Sequence, residues 1–145
     1  MIGVEIDIIV SDSIKAFELY EKIFGAEKIE ATAFEKGLNE SVFTIYGTRF
    51  HLLDENMEYG MAAAKPEDPK SIWFNLVVPD IKETFQKAID AGCKEIQPIT
   101  EMEAMGVINA MFIDPYGIVW MLHQIVREVS FEERIKVMEK MMENK

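Results

Sequence analysis

The feature that most constrains this chain is a pattern written twice. Ile8-Ile9-Val10-Ser11-Asp12-Ser13-Ile14-Lys15-Ala16-Phe17 is followed by Gly25-Ala26. About 68 positions later, Leu76-Val77-Val78-Pro79-Asp80-Ile81-Lys82-Glu83-Thr84-Phe85 is followed by Gly92-Cys93. Each copy is an apolar run, an aspartate, about three turns of amphipathic sequence and a glycine. A duplicated supersecondary unit that cannot bury its apolar face alone must share a surface with its sister. A cleft between related halves is then the natural place for a ligand.

The first segment, 3–10, reads as a strand with Ile6, Ile8 and Val10 on one face and Glu5, Asp7 and Ile9 on the other. Asp12 suits a helix N-cap, Ile14, Phe17, Tyr20 and Phe24 recur at helical spacing, and Gly25 ends the helix. Strands are expected over 29–34, 41–46 and 48–53, the last two forming a hairpin through Gly47, and 54–70 is a linker. The second unit repeats the order. It has a strand over 71–78, a helix opened by the Asp80/Glu83 capping box and closed at Gly92, and a short strand over 93–98. A Met- and Glu-rich loop follows over 100–106. Strands over 107–113 and 118–124 are then joined by the turn Asp114-Pro115-Tyr116-Gly117. Ser130 and Glu133 open a last helix that places Phe131, Ile135, Met138 and Met142 on one face, a packing or dimer surface.

The chain of 145 residues fits one domain or two small modules sharing a core, and nearly half its residues are hydrophobic. The longest uncharged apolar runs fall far short of the roughly 20 residues of a membrane span. Glu5 and Asp7 in the first apolar segment, with no basic region before them, argue against a signal peptide. A single cysteine, Cys93, fits a reducing, cytoplasmic setting, and it is read as structural. Twenty-six acids against fifteen bases give a net charge of −11, with no basic stripe, so neither nucleic acid nor membrane is an expected partner. No Ser-His-Asp pattern, phosphate loop or nucleotide fingerprint is present.

The element order, the Asp114-Pro115-Tyr116-Gly117 turn, Trp120-Met121 after it and the Ser130-Phe131-Glu132-Glu133 helix start resemble the vicinal oxygen chelate superfamily, PhnB-like branch. That superfamily includes glyoxalase I, extradiol dioxygenases, and fosfomycin and bleomycin resistance proteins. The resemblance covers essentially the whole chain. It implies an α+β fold in which two βαβββ modules curl around a shared cavity, often completed at a dimer interface, plus a C-terminal helix. The expected boundaries within a single domain, 1–145, are 1–60 for module 1, 70–126 for module 2 and 130–143 for the helix. Catalytic members resembling glyoxalase I hold a divalent metal with four His or Glu side chains, from the first and last strands of each unit. Carried over, those positions fall on Glu5, Trp73, Met121 and a fourth near His51 or Leu52. Two cannot bind a hard cation, so the resemblance implies no metal and no cofactor.

The candidate ligand-binding residues are Glu5, Asp7, His51, Trp73, Asn75, Met105, Met121 and His123. Glu5 and Asp7 on one strand face invite a cation or amine, unless an open, wet cavity simply solvates them. Trp73 and Asn75 would line the cavity if Phe74, Leu76 and Val78 pack under the helices; the opposite register buries Trp73. His51 and His123 are the chain's only histidines. Each reads as a hydrogen-bonded structural residue, a neutral ligand-binding imidazole, or part of a displaced metal site with Glu5. Met102, Met105, Met111 and Met121 read equally as adaptable pocket lining or core filler. The expected function is binding of a small cationic or aromatic molecule by a homodimer without the usual metal centre. The alternatives are a metal-dependent lyase, isomerase or dioxygenase, and an interaction dimer with a vestigial cavity.

Overall fold

A computed structural model describes residues 2–144. Two four-stranded mixed sheets are built by successive βαβββ units. The first has β1 (Ile6–Val10), α1 (Ser13–Phe24), β2 (Glu27–Ala31), β3 (Glu40–Ile45) and β4 (Thr48–Asp54), in the order β1-β4-β3-β2. The second has β5 (Phe74–Val77), α2 (Ile81–Asp90), β6 (Lys94–Met102), β7 (Val107–Ile113) and β8 (Val119–Ile125), in the order β5-β8-β7-β6. In each, the first strand runs parallel to the last and occupies a sheet edge. Helix α3 (Phe131–Glu143) ends the chain. No helix among the described residues is long and apolar enough to cross a membrane.

The duplication extends to how each helix begins. Asp12 accepts the Lys15 N–H at 3.0 Å, and Asp80 accepts the Glu83 N–H at 3.1 Å. The last strand of each unit supplies a side chain that holds the first helical N–H. Asp54 Oδ1 accepts from Ser13 N–H at 2.7 Å, and Gln124 Oε1 accepts from Ile81 N–H at 2.9 Å. Burial pushes the Asp54 carboxyl up, but the N–H groups of Ser13, Gly37 and Asn39 outweigh it and hold the group below its ordinary value.

One interior serves both modules. Phe17, Tyr20 and Phe24 of α1 meet Phe43 of the first sheet, which stacks on Phe50, and Phe112 and Trp120 of the second. Trp120 is fully buried, with ring centroids 4.9 Å from Phe24, 5.2 Å from Tyr20 and 5.3 Å from Phe74. Helices α1 and α2 pack against each other there. Asp114 is the polar pin of this core. It accepts the Tyr20 hydroxyl at 2.5 Å, Trp120 Nε1–H at 2.8 Å, and the backbone N–H groups of Tyr116 and Ile118. Burial raises its carboxyl pKa, and the four donors oppose that rise.

Four strands depart from the sequence expectation by more than one residue. β1 is Ile6–Val10, not 3–10, so Glu5 lies just ahead of it. β2 is Glu27–Ala31, not 29–34, because Asn39 Oδ1 takes the Thr32 hydroxyl and the Phe34 N–H and closes residues 32–39 into a loop. β5 is only Phe74–Val77, since its ladder with β8 starts at the Phe74–Trp120 pair. β6 runs on to Met102, with Pro98 absorbed between register shifts on an edge strand. Helix α2 ends at Asp90 with Ala91 as its cap, slightly before Gly92.

Candidate functional site

Strand parity separates core from outer face in both sheets. Opposed residues of paired strands share a face. Asp7 lies opposite His51, and Asn75 opposite Met121, which in turn pairs with Met111. Phe74 and Leu76 point into the core, whereas Asn75 and Val77 are exposed. Trp73 sits one step before β5 and is 53% exposed. The predicted residues therefore fall into two groups on two sheets.

The first group gathers Glu5, Asp7 and His51. His51 Nδ1 is 3.1 Å from Glu5 Oε1 and 3.7 Å from Asp7 Oδ1, and its Nε2 is 3.7 Å from Glu40 Oε2. Arg49, which shares the His51 face of β4, donates Nε–H to Glu5. Sequence reading missed Arg49, although its parity with His51 in a strand facing two inward acids was a usable signal. The Arg49 hydrogen bond, then the one from Asp7, holds the Glu5 carboxyl down at about 2. Burial, then the Glu5 carboxyl beside it, raises Asp7. A cation for Glu5 is thus supplied within the chain, whereas Asp7 has only His51 Nδ1 nearby, at 3.7 Å.

Glu5, Asp7 and His51 also offer ligand atoms that all lie within 4.8 Å of one another, the one such cluster among the described residues. His123 does not join it, so the displaced site uniting Glu5, His51 and His123 does not form in this chain. Two carboxylates and an imidazole suit a divalent cation; both acids face His51 Nδ1, while the buried, unpartnered Nε2 faces Glu40 instead. A metal here would compete with Arg49 for Glu5. The equivalent positions of the second sheet, Trp73, Asn75 and Met121, add no carboxylate or imidazole.

The second group borders a hollow of about 770 Å³ lined by Asn75, Val77, Met105, Val107, His123 and Ile125. None of Glu5, Asp7, His51, Trp73 and Met121 lines it. His123 Nδ1 and Asn75 Oδ1 are 2.6 Å apart. Burial lowers the His123 pKa, so the ring is neutral at neutral pH. In the tautomer donating Nδ1–H to Asn75, Nε2 is left as an acceptor. Arg127, Glu128, Val129 and the first turn of α3 form the remaining wall, which sequence reading did not anticipate.

Gly106 brings that wall close. At φ 68° it turns the chain out of a short 3-10 turn at Glu103–Met105. A Cβ there would lie 2.5 Å from the Arg127 carbonyl oxygen, so only glycine allows the 127–129 segment to cross it. Helix α3 has no buried residue, and its expected packing face is largely bare, with Phe131 69% exposed.

The profile of the Glyoxalase/Bleomycin resistance protein/Dioxygenase superfamily matches residues 4–122. The chain belongs to this superfamily. Its sequence is 29% identical over 132 residues to the uncharacterized protein Mb0911c of Mycobacterium bovis, covering 87% of this chain and 85% of that protein. The fosfomycin resistance protein FosX of Listeria monocytogenes superposes with a TM-score of 0.67 at 20% identity, covering 92% of this chain and 99% of FosX. A Glu-to-Gln point variant of the same FosX, solved with Mn(II) and 1S,2S-dihydroxypropylphosphonic acid, gives a TM-score of 0.66 at 20% identity, covering 94% and 98%. At that identity the FosX likeness establishes the fold, which is the duplicated α+β architecture expected from the sequence.

Proposed function

We propose that this superfamily member is a cytoplasmic, PhnB-like small-molecule-binding protein whose ligand occupies the second sheet's outer hollow without a metal centre. The observation that carries this reading is the open, apolar hollow with the neutral His123–Asn75 pair on its lining. Its volume is within the range of ligand pockets, and an apolar floor of Val77, Val107 and Ile125 is bordered by polar and charged side chains. An open hollow also weighs against a vestigial cavity filled by its own side chains. Glu5, already paired with Arg49, gives less support to the cationic ligand that its spacing from Asp7 suggested. The test is binding of a fragment library, followed by protein NMR, to wild type and to Val107→Trp, which fills the hollow. Hits that perturb His123 and vanish in V107W support the reading; hits that ignore the substitution refute it.

A second reading has one specific observation behind it, the Glu5–Asp7–His51 cluster, in which both carboxylates face His51 Nδ1. There a divalent ion would be held by those three side chains and would supply Lewis-acid chemistry, as Mn(II) in a FosX structure suggests. A rise in melting temperature on adding Mn(II) or Zn(II), abolished by His51→Ala, would favour it over metal-free binding.

We also propose a homodimer. β1 and β5 are edge strands, each sheet keeps one face outside the core, and α3 leaves Phe131 and Met142 bare. Sedimentation at micromolar concentration tests this, with a purely monomeric species against it.

A further inference from the structure

We infer that the hollow's ligand is an amphipathic organic anion, its charged end held between Arg127 and Arg134 and its apolar body lying on Val77, Val107 and Ile125. This rests on the proposed binding role of the hollow and gives that role a ligand class. Among the described residues, neither arginine forms an ion pair, although the chain carries eleven more acids than bases. Both line the hollow, and both are held in place by groups other than carboxylates. Arg127 Nη2 donates to the carbonyl oxygens of Glu103 at 2.9 Å and Ala104 at 3.4 Å, leaving its remaining N–H groups free. The Arg134 guanidinium lies over the Phe131 ring, 5.8 Å from its centroid.

Glu128 and Glu133 border the same hollow, so net charge alone selects nothing. Anchoring does. Neither glutamate carboxylate makes a hydrogen bond among the described residues, and both are exposed, so each can turn to water when an anion enters. Arg127 presents donors whose ordering is already met by the fold, Arg134 adds a second guanidinium beside it, and planar guanidinium groups match carboxylate or sulfonate oxygens. The floor below them is apolar, with Val77 and Ile125 more than half exposed. His123 Nε2 adds one acceptor on the lining, matched to a hydroxyl or amide N–H on the ligand body.

Two probes with one ring system separate charge from hydrophobicity: 1-naphthylacetate and 1-naphthylmethylammonium, titrated calorimetrically into the full-length protein. The anion should bind more tightly. Arg134→Gln should weaken it about tenfold, as expected for a lost charge-assisted hydrogen bond. Glu133→Gln should tighten it, and circular dichroism would verify that α3 persists in both. Equal or tighter binding of the cation, with Val107→Trp still abolishing it, overturns the anion assignment and leaves the hollow as the site. Binding of either probe that V107W does not reduce, or no binding at all, counts against both.

Discussion

The two modules repeat one backbone and carry opposite chemistry on equivalent outer positions. By strand pairing, Asp7 and His51 of the first correspond to Asn75 and Met121 of the second, and Ile9 and Leu53 to Val77 and His123. The first face is charged and matched within itself, through Glu5, Arg49 and His51. The second has an apolar floor with one neutral His–Asn pair, beside a wall that carries Arg127, Glu128, Glu133 and Arg134. The residues under the helices stay alike in kind because both units must feed one core, so divergence is confined to the face that the core does not need. A duplicated fold can therefore hold its architecture while one copy carries a charge cluster and the other an apolar-floored hollow.

The largest expected effect tests the claim that the core is common to both modules. Asp114→Ala removes the acceptor of Tyr20, Trp120 and two backbone N–H groups, leaving buried donors unmet. The cost should be on the order of 3 kcal/mol or more, read as a lower urea midpoint. Fluorescence and circular dichroism should still report a single coincident transition. Separate transitions for the two modules would break the comparison at its root.

Gly106→Ala should follow, costing about 1–3 kcal/mol from its positive φ and the clash with the Arg127 carbonyl. Probe binding to the hollow should fall, while the Glu5–Asp7–His51 group should show unchanged NMR shifts. Disturbance of both faces would mean that they are not independent.

A smaller effect concerns His123. Its pKa lies below the ordinary 6.5, so below that pH the unfolded chain binds the proton more readily than the folded one. The associated stability is complete above pH 6.5 and is lost as the pH falls toward the folded value. His123→Gln should flatten this part of the stability–pH curve, and an unchanged slope would contradict a partly buried, neutral ring. The mildest change is Arg49→Leu, which should lift the Glu5 carboxyl from about 2 toward its ordinary 4.5 by NMR titration. No movement would show that Arg49 is not the cation satisfying that face.

Much of this architecture was legible because it is local or periodic. Asp12, Asp80 and Ser130 cap helices where a short acceptor precedes an amphipathic run. Alternation offered a register with Trp73 and Asn75 opposite Phe74, Leu76 and Val78, and the fold adopts it for Asn75, Phe74, Leu76 and Val78. Limits set by distant partners were not legible: Asn39 closing the 32–39 loop, or β8 deciding where β5 begins. The candidate site divides the same way. Glu5, Asp7 and His51 could be nominated from parity, but Arg49 as their counter-ion required the strand register. Arg127 and Arg134 reach the hollow only because the 127–129 segment crosses Gly106 and leads into α3.

By itself, the sequence determined the duplicated unit, its capping residues and which side chains face away from the core, because those follow from near-neighbour geometry and a two-residue period. Only the tertiary structure decided which acid meets which base and which outer face is hollow. Charges and cavity walls act across space between residues far apart in the chain, and no spacing rule along one strand records where another strand or a crossing loop will lie.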